Sequence, residues 1–368
     1  MSHVVTLCVA GDARDNEHER ATREEFGRRL AVLRKLEFGG EYEPARHAPP
    51  LYYVPNETLV THELARFPGI EHQDQLFGGV VPHRFVATKV ISHPLVSEGA
   101  VHPVGWTNCL TDQLAGVVLE GYSAFSQDDA LEGGRRLFER GMRVRLKRAV
   151  SRGGLGQWKA AAPEQLASAL QEISAAELAE WGVVVEEDLA EARTWGIGQV
   201  TIGGRIISYY GVQELTQDNH GCEVYGGSDL QVVRGGFDAL LARELPADVG
   251  EAVRMAMAYH EAVKTCFDGF FASRINYDVV RGVAAGGNLK SGVLEQSWRL
   301  GGASGAEIAA LEYLAENPDC QVVRANTVER YGQAALTEPL PTGALVFFRG
   351  DDPVTGPIVK YATARCQA

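Results

Sequence analysis

No stretch of this 368-residue chain approaches the ~20 consecutive apolar residues that a transmembrane helix needs. The apolar run Val4 to Ala10 is too short for a signal h-region, and no cationic n-region precedes it. Positive charge is not in excess either. Thirty-five Lys and Arg stand against 48 Asp and Glu, and the net charge of −13 argues against a nucleic-acid-binding surface. The ten histidines form no H-E-x-x-H or comparable ligand pattern, so a transition-metal centre is not expected. His220, within Asp218-Asn-His220-Gly221, reads as a turn residue rather than a base. Six cysteines (Cys8, Cys109, Cys222, Cys266, Cys320 and Cys366) show no C-x-x-C and no paired spacing. They are expected to be mostly small core residues in a reducing cytoplasm. There is no internal repeat and no low-complexity linker.

What remains is a chain long enough to bury a large core and to hold two or three domains. Its densest chemistry lies in Gly292-Val-Leu-Glu295-Gln-Ser297-Trp-Arg299-Leu-Gly301-Gly302-Ala-Ser304. Residues two apart on a strand share a face, so Glu295, Ser297 and Arg299 aim together. Gly301 and Gly302 then allow close backbone approach. A carboxylate beside a guanidinium suits a metal-bound phosphate, the acid holding the cation and the arginine the anion. The alternative is an edge-strand salt bridge leading into a turn. Upstream, Ser273-Arg274-Ile-Asn276-Tyr-Asp278 places Arg274, Asn276 and Asp278 on one strand face within hairpin range of Glu295. Antiparallel neighbours lie ~5 Å apart, close enough for Asp278 and Glu295 to share a divalent cation.

Met142 to Gln157 reads as a strand running into a glycine-rich turn, with Val144, Leu146 and Arg148 alternating against Arg143, Arg145 and Lys147. Such a turn can present backbone N–H groups to an anion. Lys147 sits just upstream; at ~4 Å and an effective dielectric of ~20, one charge pair gains ~4 kcal/mol before desolvation. The loop matches neither G-x-x-x-x-G-K-[ST] nor G-x-G-x-x-G, and a ligand-free hairpin is the alternative. After a helix starting at Pro163, Val183-Val-Val-Glu186-Glu187-Asp188-Leu189 is a buried strand opening onto an acidic rim.

These segments, in this order, resemble the ATP-grasp superfamily, and the match runs from about Lys89 to Ser304. The resemblance implies an α/β (α+β) fold whose two subdomains clasp ATP, preceded by a small α/β domain. Residues 1–85, 86–190 and 191–368 are the expected units. It implies ATP and Mg2+ as cofactors. Lys147 and the loop carrying Ser151, Gly153, Gly154 and Gly156 would cover the triphosphate, and Lys89 would meet it from elsewhere. Glu186, Glu187 and Leu189 would line the adenine hinge, with the Glu187 carbonyl and Leu189 amide bonding the base. Glu191 is the nearest acid for the ribose. Asp278, Glu295 and Ser297 would ligate the metal, Ser297 standing where the family usually has Asn. Arg299, with Arg274 near it, would neutralise charge around the transferred phosphoryl group.

The implied activity is a ligase that joins a small-molecule carboxylate to an amine through an acyl phosphate, with no membrane or nucleic-acid partner and a homodimer as a possible assembly. A small-molecule kinase, or a nucleotide-binding module without turnover, are the other readings. Glu223 to Arg234, with Gly226 and Gly227, is expected to be a mobile loop closing over the intermediate, Tyr225, Ser228 and Asp229 contacting substrate. A long helix from about Pro246 should bury Val249, Val253, Met257 and Ala258, and Ser126 should cap a helix with Asp129 three residues on.

Overall fold

A computed structural model describes residues 2–9, 16–150 and 156–367; the predicted phosphate-loop residues Ser151, Gly153 and Gly154 lie outside them. In chain order the elements are β1 (His3–Leu7), α1 (Glu17–Arg34), β2 (Glu37–Glu41), β3 (Tyr52–Pro55), β4 (Leu59–Val60) and β5 (Gly79–Val81). There follow α2 (Cys109–Gln113), β6 (Gly121–Ala124), α3 (Gln127–Glu139), β7 (Val144–Arg148), β8 (Gln157–Ala160), α4 (Pro163–Leu170), α5 (Ala175–Trp181) and β9 (Val183–Glu187). The remainder is β10 (Ala190–Ile202), β11 (Arg205–Gln217), β12 (Glu223–Arg234), α6 (Phe237–Leu241), α7 (Ala247–Cys266), β13 (Phe271–Ala272), β14 (Arg274–Val283) and β15 (Leu289–Ser297). It closes with α8 (Ser304–Glu316), β16 (Val322–Tyr331), α9 (Gln333–Thr337), β17 (Leu345–Asp352) and β18 (Gly356–Cys366).

Two sheets position the site. A four-stranded sheet runs β6-β9-β7-β8, and an eight-stranded antiparallel sheet runs β15-β14-β10-β11-β12-β16-β18-β17. The chain passes from the first to the second in two residues, Asp188 and Leu189. The valine run explains why β9 lies inside its sheet. Val183, Val184 and Val185 are fully buried, as a strand covered on both faces requires. Gly203 and Gly204 both have positive φ and join β10 to β11 by the two-residue turn that suits twisted strands. Ser126 caps α3, its hydroxyl accepting from the Asp129 amide at 3.2 Å.

The parallel sheet β2-β1-β3 buries two faces: Val5, Leu7 and Tyr53 enter a local cluster with Leu59, Phe67 and Val80, while Val4, Tyr52 and Val54 face α1. Val4, Phe26 and Leu30 pack with Ile308, Leu311 and Phe347 in one apolar cluster, which brings α1 over the C-terminal strands. The Phe26 and Phe347 rings meet edge to face at 4.8 Å. Among the described residues no helix is long and apolar enough to cross a membrane.

Three expectations are corrected. Glu223–Arg234 is not a mobile loop but the unbroken strand β12, with Gly226 as the extra residue of a bulge opposite Glu214 and Leu215. A Cβ at Gly226 would lie 2.8 Å from the Thr216 Cβ, and one at Gly227 2.3 Å from the Thr327 carbonyl oxygen, so these glycines permit close strand packing rather than motion. Asp229 is taken up by Arg324. On α7 the buried face runs through Val249, Val253, Ala256, Tyr259 and Val263, leaving Ala258 exposed, because Tyr259 turns inward and fixes the helix rotation. The cysteines are not free core thiols. Cys109 pairs with Cys266 and Cys320 with Cys366, 157 and 46 residues apart, separations at which local spacing carries no signal. Only Cys8 and Cys222 keep thiols.

Candidate active site

The β14–β15 hairpin brings the predicted acids together. Its register pairs Asp278 with Glu295 and Asn276 with Ser297, then slips by one residue after Asp278. That bulge aims the pair while ending regular pairing beside it. Asp278 Oδ1 is buried and has no hydrogen-bond partner among the described residues. Glu295 instead meets Lys89, Nζ lying 2.6 Å from Oε2. Burial, and then the Glu295 charge, push the Asp278 carboxyl up to about 7. Burial also opposes ionisation of Glu295, but the Lys89 ammonium outweighs it and holds that carboxyl below its ordinary value. The two acids are thus driven apart: Asp278 is raised and Glu295 lowered, because Lys89 contacts Glu295 directly.

Lys147 projects from β7 and is almost wholly buried. Its Nζ lies 2.5 Å from Glu186 Oε1 on the neighbouring β9, and His93 Nε2 approaches Glu186 Oε2 at 3.0 Å. Burial works against the Glu186 charge, yet Lys147 and then His93 overcome it and bring the carboxyl down to about 2. Both Leu146 and Lys147 are buried because this sheet is covered on both faces. Beyond Glu186, the Glu187 carboxylate takes Lys290 at 2.7 Å, and Asp188 receives Arg145 Nε at 2.8 Å. Arg145 Nη1 also donates to Gln157 Oε1 at 3.0 Å. Gly156, with φ +65°, leads directly into β8.

Arg274 is 1 % exposed and fully engaged. Its Nε and Nη2 donate to Glu307, and its Nη1 reaches the Ser297 carbonyl and hydroxyl and, at 2.7 Å, the Arg299 carbonyl. It therefore positions the segment after β15 rather than offering a free cation. Ser297, predicted as a third ligand, is held by the same guanidinium at 3.3 Å. Arg299 Nε lies 3.3 Å from Glu57 Oε2.

One cavity of about 950 Å3 joins these pieces. Arg145, Lys147, Gln157, Glu186 to Leu189, Asp278, Glu295, Ser297 and Arg299 all face it. It extends over the eight-stranded sheet past Gly196 and Gly211, register partners that leave its floor clear of side chains, to Ser228, Glu329 and Lys360. Three of the described predicted residues are not on its wall: Gly156; Glu191, which has φ +51° and is exposed at an irregularity of β10; and Lys89, whose Nζ meets the Glu295 carboxylate. Of the residues missed, Arg145 shares the strand face of Lys147 and was open to period-two reasoning. His93 and Glu307 have no local signal, since each meets its partner across a long sequence separation.

Solved structures share this overall fold. Phosphoribosylamine–glycine ligase from Thermotoga maritima superposes with a TM-score of 0.54 at 15 % identity, covering 99 % of this chain and 91 % of that one. N5-carboxyaminoimidazole synthetase from Staphylococcus aureus, complexed with ADP, gives 0.54 at 10 % identity, covering 99 % and 93 %. The fold is therefore the ATP-grasp fold. Residues 6–362 match one family throughout, and the chain belongs to it: DUF3182, described as a protein of unknown function. No curated protein matches the chain in sequence.

Proposed function

We propose that the chain is an ATP-dependent ligase that joins a small-molecule carboxylate to an amine, with nucleotide held between residues 86–190 and 191–368. Asp278 carries this reading: its buried, unpartnered Oδ1 faces the same cavity as Glu295, Lys147 and the hinge strand. A carboxylate pair with one orphaned oxygen fits a divalent cation. Among the described residues no three His, Cys, Asp or Glu side chains form a metal cage. That suits Mg2+, which takes one or two carboxylates and completes its shell with phosphate oxygens and water. When bound, Mg2+ would neutralise charge on the transferred phosphate.

Each residue then has a task in positioning and electrostatics. Lys147, anchored by Glu186, keeps donors for the phosphates, and Arg145 adds a second cation on the same strand face. The Glu187 carbonyl and Leu189 amide lie where the chain changes sheet and meet the adenine edge. Arg299 faces the transferred phosphoryl group, held by the carbonyl grip of Arg274. A substrate carboxylate oxygen attacks the γ-phosphorus and ADP departs. An amine then attacks the acyl carbon of the acyl phosphate, forming the amide and releasing phosphate and a proton. The relatives named above, a ligase and a synthetase, support this class of reaction, as does the shared fold. The test is ATP turnover with pooled carboxylates and amines. ADP and phosphate should appear only when both classes are supplied. A stable phosphorylated product from a single acceptor would overturn the ligase assignment.

A further inference from the structure

The strand that carries Glu295 also grips the segment that carries Lys89. Adjacent strand residues point to opposite sides, so Glu295 looks into the cavity while Gln296, 6 % exposed, looks into the protein. The Gln296 side-chain nitrogen donates to the Thr88 carbonyl at 2.8 Å and to the Val86 carbonyl at 3.1 Å. Val86 lies in one short helical turn, Arg84–Ala87, and Thr88 joins it to a second, Lys89–Ser92. From α7, the Tyr259 hydroxyl donates to Gln296 Oε1 at 3.2 Å and lies 2.8 Å from the Ser92 hydroxyl. Tyr259 has one hydroxyl proton and gives it to Gln296, so Ser92 donates to Tyr259. Carbonyls only accept, which fixes the carboxamide with its nitrogen towards the two turns. Both amide protons and the amide oxygen are thus used, and Val86, Thr88, Ser92, Tyr259 and Gln296 are all buried. The Val90 carbonyl is held separately, by the Ser123 hydroxyl on β6. Lys89 projects from this clamped backbone, and its Nζ meets Glu295, the residue next to Gln296.

Resting on the ligase reading for its role, we infer that Gln296 is a positioning residue of the nucleotide site: it fixes the backbone on either side of Thr88 and so sets the Lys89 ammonium against Glu295, where a metal-bound triphosphate would meet it. A lysine carries its charge on a long flexible stem, so the ammonium keeps one place only if the backbone beneath it is fixed. Gln296 fixes that backbone from the strand that bears Glu295, which makes the acid and the ammonium move as one unit. A neutral amide suits the task, because it bonds both carbonyls without burying another charge beside the pair. An apolar residue of the same length would fill the space and take this donor away from both buried carbonyls.

Acylation of lysines on the full folded chain, mapped by peptide mass spectrometry, tests the placement without nucleotide. Lys89, Lys147 and Lys360 are 4, 3 and 4 % exposed, so the last two are references for the first. Gln296→Met, close in length, should raise the Lys89 rate ~10-fold and leave Lys147 and Lys360 within about twofold of native. Tyr259→Phe, which removes the bond to Gln296 Oε1, should raise the Lys89 rate ~3-fold and serves if the first variant misfolds. Calorimetry with Mg–AMP-PNP reads the functional side. Gln296→Met should weaken the nucleotide ~10-fold and Lys89→Met at least as much. The double variant should match Lys89→Met within about twofold, because Gln296 acts through Lys89; a merely structural role would multiply the two losses. An unchanged Lys89 rate overturns the inference, as do a rate that rises equally at all three lysines and losses that multiply. If the native protein does not bind Mg–AMP-PNP, the ligase reading fails, and the acylation rates still decide whether Gln296 sets Lys89.

Discussion

Replacing Lys147 by methionine should reverse the way one buried carboxylate responds to pH. In the native protein Glu186 is 1 % exposed and held by Lys147 and His93, which bring its carboxyl from an ordinary 4.5 to about 2. A depressed carboxyl stabilises the fold above its unfolded value and loses that contribution as pH falls from 4.5 towards 2. A depression of this size corresponds to ~3 kcal/mol, fully present at both pH 7 and pH 5. In Lys147→Met the carboxylate keeps only His93. Breaking a buried pair by removing one partner costs ~3–5 kcal/mol, and the carboxyl moves above its ordinary value. The sign then inverts: a raised carboxyl favours folding below the unfolded value and costs stability as pH rises past it. Between pH 5 and pH 7 that cost grows by ~1.4 kcal/mol per unit, so the variant should lie ~2–3 kcal/mol closer to the native protein at pH 5 than at pH 7. Urea denaturation followed by far-UV circular dichroism at both pH values measures the gap. Asp278, whose charge Lys147 also favours, is raised by the same substitution and adds to the difference in the same direction. A gap below about 1 kcal/mol at pH 7, or the same gap at both pH values, would refute the assigned pair. The double variant with Glu186→Gln should recover part of the loss, since the charge left without a partner is gone.

Arg274→Met should cost ~3–5 kcal/mol by stranding Glu307, which is fully buried; adding Glu307→Leu should restore most of it, and a double variant no more stable than the single in urea would contradict a buried ion pair. Chain-entropy arguments give ~5 kcal/mol for the Cys109–Cys266 link and ~4 kcal/mol for Cys320–Cys366, from their 157- and 46-residue separations. Reductant should therefore lower the urea midpoint of the native protein, and mass spectrometry without reductant should show two linked peptide pairs. Four free thiols at these positions in protein purified without reductant would contradict the pairings.

The parts of the site that were legible in the sequence share one property: their geometry is set by strand periodicity. Asp278 and Glu295 face each other because alternation on two strands joined by a short turn leaves few registers that keep Val279, Val280 and Val293 inside. Strand β9 was legible because three consecutive valines suit a strand covered on both faces. The Ser126 cap was legible because it acts within one helical turn. What was missed depends on distance. His93 meets Glu186 and Arg274 meets Glu307 only after two sheets and α8 are assembled, and no local pattern encodes either meeting. Gly226 and Gly227 misled because glycine signals freedom in a loop and close approach in a sheet, and their neighbours Thr216 and Thr327 decide which. Nor does any local pattern encode the meeting of α1 and β18, which lie at opposite ends of the chain and are joined in space through the cluster of Phe26 and Phe347.

The measurement closest to the centre of this account is calorimetric titration of Mg–AMP-PNP into the native protein and into Glu295→Gln. The native protein should bind the nucleotide, with Mg2+ required, and the variant should lose at least ~10-fold in affinity because a neutral amide replaces one of two metal-facing carboxylates. A native protein that ignores Mg–AMP-PNP, or a variant that binds it as tightly as the native protein does, would contradict the claim that Asp278 and Glu295 hold a metal-bound triphosphate.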